Sequence, residues 1–222
     1  VVHSLYIVFA MSEAKKAKLD ADNEPTNEKT ALSEELNDQE ILLISTHEAL
    51  HCFYCQKSKV ATPTEVLIRK DGTGIARRRF HNPLMLGRDE HLFEIEFALT
   101  ATIGEKMIFG QNFDGCKSDI EQATSNLKLI LEEDGLKNFG SMIDTTAYNT
   151  GPSIKENFDK KFREAMDECV KRVKELLEAE GNLEIVKELA LRISKSKNWT
   201  MSEEEIKTFF ENPMADKKQT GR

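Results

Sequence analysis

The chain has 222 residues, of which 39% are apolar and 32% are charged, and its formal net charge is −8 at pH 7. This length suits one sizeable core with a helical appendage and is too short for two large domains. The acidic balance argues against a general nucleic-acid binder, which needs a basic face to replace counterions. The 4 cysteines are too few and too unevenly spaced for a secreted disulfide framework. We therefore expect reduced thiols and an intracellular or organellar compartment.

The first 32 residues show no pattern typical of a folded element. The opening VVHSLYIVFA is apolar but short, and it lacks the basic flank and cleavage site of a signal peptide. We interpret it as part of a truncated or upstream segment, which leaves a membrane anchor upstream open. Residues 11–32 are polar and predict a disordered tail. No stretch approaches the roughly 20 apolar residues of a membrane span.

A helix and a β-hairpin are predicted first along the folded part. Apolar residues recur at helical spacing over residues 33–57, as one helix or as two joined at Asn37 and Asp38. The segment TEVLIRKDGTGIARRRF, residues 64–80, predicts a hairpin with DGTG as its turn. The arginines at 77–79 either favour acidic segments of a substrate or, as the more ordinary interpretation, are a solvated charge run on an edge strand.

Helical patterns dominate the rest of the chain. One covers residues 89–109 and ends at Gly110, a natural helix stop. The next opens where Ser118 and Glu121 have the spacing of a capping box, and a Gly-rich connection follows from residue 134. Three further helices are predicted over 153–180, 182–195 and 202–211. The sequence thus predicts a mainly α fold with one small β-hairpin or sheet.

The stretch STHEALHCFY, residues 45–54, contains two histidines four positions apart, with a glutamate after the first. On a helix, His47 and His51 lie on one face and are close enough to bind one metal ion. Glu48 is rotated by about 100° from that face, so it can reach water on the ion without being a ligand. This is the H-E-x-x-H pattern of zinc peptidases. The alternative is a half-buried pair of core histidines.

A hydrolytic zinc site needs a third protein ligand. The metzincin extension is excluded, because Tyr54 and Lys57 stand where it requires glycine and histidine. Asp119 has the best local argument, since the first turn of a capped helix favours an ionised carboxylate through the helix dipole. The other candidates are His81, His91, Glu94 and Glu105.

From about residue 33 to residue 212 the chain resembles the peptidase domain of FtsH-type zinc metalloproteases. HEALH matches the family's H-E-A-G-H, and IFGQNFDGCKSDIEQAT resembles its I-F-G, loop, Gly and D-[LI]-x-x-A-T stretch. The segment GEKMIFG is similar to the family's A-E-E-L-I-F-G stretch. The segment DGLKNFGSMIDTTAY is similar to its G-M-x-x-L-G-x-x-x-Y linker, and WTMSEEEI is similar to its closing E-T-L-x-x-x-E-I element. The resemblance implies a zinc-site part at about 33–150 and a C-terminal helical part at about 153–212. The polar residues 213–222 predict a frayed tail.

The resemblance also implies a chemistry. It implies a zinc-dependent endopeptidase that hydrolyses peptide bonds in unfolded or flexible polypeptides, with Zn2+ as its cofactor. The implied ligands are His47, His51 and Asp119, and the implied general base is Glu48. Glu105 falls at an acidic position of the family, either as a partner that orients a ligand histidine or as a surface carboxylate at a helix end. Leu50 replaces the family's glycine, so the neighbouring element must accommodate a larger side chain.

Members of this family carry an ATPase module before the peptidase, and these 222 residues contain none. The string from Gly110 to Ser118 has one residue too many before its lysine for a P-loop, so we expect no bound ATP. The alternative function is a catalytically silent or regulatory FtsH-like scaffold that binds polypeptide or a partner ATPase. Expected partners are a polypeptide substrate and a separate ATPase-bearing relative, with a hexamer implied by the resemblance and no nucleic acid.

Overall fold

The computed structural model describes residues 36–83, 87–113, 115–139 and 152–213. It describes residues 133–139, 152–155 and 157 by their backbone alone. The predicted tail over residues 1–32, the connection over 140–151 and the C-terminal tail from residue 214 lie outside the described residues.

Helices account for most of the described chain, and the prediction of a mainly α fold with a small sheet is confirmed. The helices are α1 Asp38–Lys57, α2 Arg88–Phe109, α3 Cys116–Phe139, α4 Pro152–Glu178, α5 Asn182–Lys195 and α6 Glu203–Glu211. The strands are β1 Ala61–Ile68, β2 Gly74–Phe80 and β3 Thr200–Ser202, and a 3-10 turn, Lys197–Trp199, precedes β3.

The sheet is antiparallel, with the strand order β2-β1-β3. The predicted hairpin is confirmed as β1 and β2, and its turn is held by the Thr73 N–H, which donates to Asp71 Oδ1 at 2.9 Å. Gly72 has φ +83°, a left-handed conformation that glycine adopts without steric cost. The third strand was not predicted, because three residues are too few to show an alternating pattern.

Helix starts are set by side chains in two cases and by a turn in a third. Asn37 caps α1 and forms a capping box with Glu40, so the helix begins at Asp38, whereas residues 33–35 of the predicted range lie outside the described residues. Ser202 and Glu205 form the predicted box at α6. The predicted box at Ser118 is wrong.

The chain enters α3 by a turn ahead of Ser118. The Cys116 N–H donates to Phe113 O at 3.0 Å, so the helix has already begun when Ser118 is reached. The Ser118 hydroxyl instead donates back to the carbonyl of Gly115. The same helix continues to Phe139, so a connection beginning at residue 134 is also wrong. A single glycine inside a helix costs only about 1 kcal/mol relative to alanine, so Gly135 need not end the helix.

Helix α1 is the centre of the fold. It packs against α2, α5 and the hairpin, and its residues are buried continuously from Ile44 to Cys55. A helix that is buried on all sides loses the one-sided apolar stripe of a surface helix. No helix in the described ranges has the length and apolar character needed to cross a bilayer.

The arginine run on β2 divides between two faces of the sheet, because successive side chains of a strand point in opposite directions. Arg77 pairs with Glu65 on β1, and the exposed Arg79 pairs with Glu203 on α6. Arg78 is only 1% exposed and pairs with Glu94 of α2. The interpretation of the run as solvated charge is therefore wrong for Arg78.

Candidate metal centre

Three predicted ligands meet between α1 and α3. His47 and His51 lie on one face of α1, with their Nε2 atoms 3.1 Å apart. Asp119, in the first turn of α3, places Oδ2 at 3.2 Å from Nε2 of His47 and at 3.4 Å from Nε2 of His51. The three donor atoms thus form a nearly equilateral triangle in the interior.

The size of this triangle fits a four-coordinate metal ion. Ligand bonds of about 2.0–2.1 Å in tetrahedral geometry place the donor atoms about 3.3 Å from one another. Asp119 is 0% exposed, its Oδ1 has no hydrogen-bond partner, and its Oδ2 faces the two imidazoles. An ionised carboxylate in that state carries a large desolvation cost unless a cation compensates it. The residues present could therefore hold a metal ion.

The second ring nitrogen of each histidine has a partner that orients the ring. Nδ1 of His47 lies 2.7 Å from Oε1 of Glu105, and Nδ1 of His51 lies 2.9 Å from the carbonyl oxygen of Phe97. A carbonyl can only accept, so Nδ1 of His51 donates and its Nε2 keeps the lone pair. Both Nε2 atoms face Asp119, where a metal ion would bind them.

Glu105 is at the centre of a small hydrogen-bond network. It is 2% exposed, so the alternative of a surface carboxylate is excluded. Its Oε2 accepts from the Phe113 N–H and from the Cys116 thiol, each at 3.1 Å. His47, Glu105 and Cys116 also form a group that could hold a metal ion. The 2.7 Å between His47 and Glu105 is a hydrogen-bond distance, shorter than the separation of two ligands of one ion.

Glu48 lies beside the triangle and is 2% exposed, with no hydrogen-bond partner for Oε1. A Cβ atom on Gly74, the first residue of β2, would lie 2.8 Å from the Glu48 Cδ and closer still to Oε1. Only glycine lets the strand approach the carboxylate this closely. Burial raises the pKa of Glu48 to about 7, although the two imidazoles oppose the shift. Such a pKa suits a general base at neutral pH.

The pKa values of His47 and Asp119 are displaced by the contacts within the centre. Burial alone would lower the pKa of His47, but the contacts with Asp119, Cys116 and Glu105 outweigh it and raise the pKa well above its ordinary value. Burial alone would raise the pKa of Asp119, but the two imidazoles hold it well below its usual range.

The remaining candidates for the third ligand lie elsewhere. His81 contacts Thr62 and the Lys59 carbonyl, and His91 contacts Asn126. Glu94 is engaged by Arg78.

Three contributors to the centre were not assigned to it from the sequence: Phe97, Cys116 and Gly74. Phe97 acts through its carbonyl oxygen, and Gly74 acts through the absence of a side chain. Cys116 carries no signal that separates it from the other buried thiols. None of these three residues is part of a sequence motif that marks a metal site.

No family model matches the chain, and no curated protein matches it. The FtsH-type resemblance of the sequence motifs therefore stays a prediction. What this chain can do follows from the geometry of the centre itself.

Proposed function

We propose that this protein is a zinc-dependent endopeptidase of the FtsH type that hydrolyses peptide bonds in unfolded or flexible polypeptides. The observation that carries the proposal is the donor triangle, with edges of 3.1, 3.2 and 3.4 Å, next to the buried carboxylate of Glu48. Three protein ligands with a fourth position left open are typical of hydrolytic zinc sites, whereas structural sites use four.

The side chains divide into those that hold the ion and one that moves protons. His47, His51 and Asp119 would hold the zinc ion, which supplies a Lewis acid that polarises a carbonyl group and lowers the pKa of water. Glu48 takes a proton from the water that attacks the scissile carbonyl carbon. When the C–N bond breaks, Glu48 gives this proton to the leaving amine. Glu105 and the Phe97 carbonyl keep the histidine rings in the orientation that the site requires.

Leu50, which stands where the FtsH-type motif has glycine, is accommodated without disturbing the proposed ligands. A Cβ atom on Gly104 of α2 would lie 2.7 Å from Cδ1 of Leu50 and closer still to Cδ2. The family stretch A-E-E-L-I-F-G has alanine at the position of Gly104. A larger residue on α1 is thus offset by a smaller one on α2, which supports the assignment to the FtsH type.

The surroundings of Glu48 suit an extended polypeptide. In the described part of the chain, β2 has a strand neighbour on one side only, and its first residue lies against Glu48. A polypeptide that paired with this edge would present its backbone to the carboxylate. Edge pairing requires backbone groups that are not already bonded, which favours unfolded substrates. The same proposal includes a separate ATPase-bearing relative that delivers unfolded polypeptide to this site.

The test is the degradation of a fluorescently labelled unfolded protein by the zinc-loaded chain without ATP. We expect cleavage by the wild type and none by Glu48→Gln, which retains the ligands and loses the base. His51→Ala, which loses a ligand, should lose both zinc and activity. One zinc ion per chain without cleavage by the wild type would instead favour the scaffold alternative.

A further inference from the structure

Arg78 is the unusual residue of the hairpin, because it is a cation that is only 1% exposed. Its Nε donates to Oε1 of Glu94 at 2.8 Å, and its Nη2 donates to Oε2 of the same carboxylate. Replacing such a buried pair by apolar residues is often neutral or stabilising, so stability alone does not explain it. The position of the pair relative to the metal centre offers another explanation.

Arg78 and His51 stack on the same aromatic ring. The guanidinium carbon of Arg78 lies 4.0 Å from the ring centroid of Phe97. The imidazole of His51 stacks on Phe97 with a centroid distance of 4.4 Å and an interplanar angle of 14°. Two groups this close to one ring would overlap on the same face, so they lie on opposite faces. The ring of a predicted metal ligand is therefore backed by Phe97, and Phe97 is backed by a cation.

The Glu94 carboxylate extends this arrangement to the helix that carries Asp119. Nε2 of Gln122 donates to Oε2 of Glu94 at 2.6 Å. Gln122 and Asp119 are three residues apart on α3, so they lie on neighbouring positions of one helix face. Through Glu94, Arg78 thus joins β2 to both α2 and α3.

We propose that Arg78 is a positioning residue that orients His51 and Asp119 for metal binding, through Phe97 and through Glu94 with Gln122. This inference rests on the metal centre of the proposed function. A planar guanidinium can form the paired hydrogen bonds and lie on the ring at the same time, whereas a lysine ammonium cannot do both. Loss of a partner that orients a ligand typically lowers metal affinity about 10- to 100-fold.

The experiment measures zinc affinity by competition with a chromophoric chelator, and the d–d absorption of the cobalt(II)-substituted protein. The variants are Arg78→Lys and the double variant Arg78→Met/Glu94→Leu, which removes the pair without leaving a charge unpaired. The matched control is Arg79→Met, on the adjacent and exposed arginine that pairs with Glu203. We expect the first two to bind zinc about 10- to 100-fold more weakly, with a shifted cobalt spectrum, and the control to match the wild type.

Folded Arg78→Lys and double variants with wild-type zinc affinity and cobalt spectrum would overturn the positioning role. Should the double variant not fold, Phe97→Leu removes the ring but keeps the carbonyl that accepts from His51, and weaker zinc binding is again expected. Wild-type behaviour of both Phe97→Leu and Arg78→Lys would also overturn it. A wild type that binds no zinc removes the metal centre and this role together. A wild type that binds zinc but cleaves nothing contradicts only the endopeptidase proposal.

Discussion

Substituting Gly104 by alanine should destabilise the protein, although alanine is the better helix former. Gly104 lies inside α2, where it faces Leu50 of α1, a side chain that is 0% exposed. The added Cβ would lie 2.7 Å from Leu50 Cδ1 and 3.0 Å from Cγ, and closer still to Cδ2. Because the leucine is enclosed, it cannot swing into solvent to relieve the overlap, and α1 and α2 must separate.

The magnitude follows from two opposing contributions. Replacing glycine by alanine within a helix stabilises by about 1 kcal/mol. Overpacking a well-filled core costs about 1–3 kcal/mol, and the overlap with several atoms of one leucine favours the upper part of this range. The net expectation is a loss of about 1–2 kcal/mol for Gly104→Ala. In a Leu50→Ala background the overlap is gone, so the same change should stabilise by about 1 kcal/mol.

A double-mutant cycle measures the interaction between positions 104 and 50. It uses urea titrations of the metal-free wild type, both single variants and the double variant. The expected coupling energy between the two positions is about 2–3 kcal/mol. Leu50→Ala alone should cost about 2–5 kcal/mol, through lost burial and the cavity left behind. If Gly104→Ala stabilised the protein equally with Leu50 and with alanine at that position, the close packing of α1 on α2 would be refuted.

Three further predictions concern the metal, the buried ion pair and the hairpin turn. Zinc at 100 times its Kd should raise the free energy of unfolding by about 2.7 kcal/mol, and a chelator should reverse the matching Tm shift; an unchanged Tm would contradict a metal centre. Arg78→Met alone should cost about 3–5 kcal/mol in urea titrations because it leaves the Glu94 charge buried, whereas adding Glu94→Leu should restore most of this loss; equal losses in both would contradict the pairing. The hydrogen bond from the Thr73 amide N–H lowers the pKa of Asp71 in the folded state. The ionised Asp71 carboxylate therefore stabilises the fold at pH values above the unfolded-state pKa, and this stabilisation is lost as the pH falls through the folded-state pKa. Asp71→Ala should therefore lower Tm more at pH 7 than at pH 2, and an equal loss at both would contradict that account.

The parts of the centre that follow from helical spacing could be predicted from the sequence. His47 and His51 share a face of α1 because the period of the helix requires it, whatever the rest of the fold does. Local rules favoured Asp119 only as a carboxylate in the first turn of a helix, and the motif resemblance made it the third ligand, since no local rule states which loop brings α3 to α1. The partner of each histidine depends on α2, so Phe97, which contributes a backbone oxygen, gave no side-chain signal.

The errors of prediction have the same origin. The S-x-x-E spacing at Ser118 is a real local signal, but the turn at Phe113 and Cys116 starts α3 earlier. Strand alternation alone could have separated Arg78 from its two neighbours. It could not have shown that the face of Arg78 is buried, because the carboxylate that pairs with it comes from α2. Tertiary contacts between distant segments decide these cases.

Among the described residues, buried polar atoms without a hydrogen-bond partner occur on Asp119 and Glu48 at the candidate metal centre, and also elsewhere in the interior. Oδ1 of Asp119 has no hydrogen-bond partner, and a bound cation would compensate this buried carboxylate. Glu48 is different, because Oε1 is equally buried and unpartnered but the carboxylate lies outside the donor triangle. A buried group in this state costs about 1–3 kcal/mol, so a fold that only held a metal ion would be more stable with an apolar residue there. Local rules are expected to fail at functional sites, and the proposed role of Glu48 in proton transfer would explain this cost.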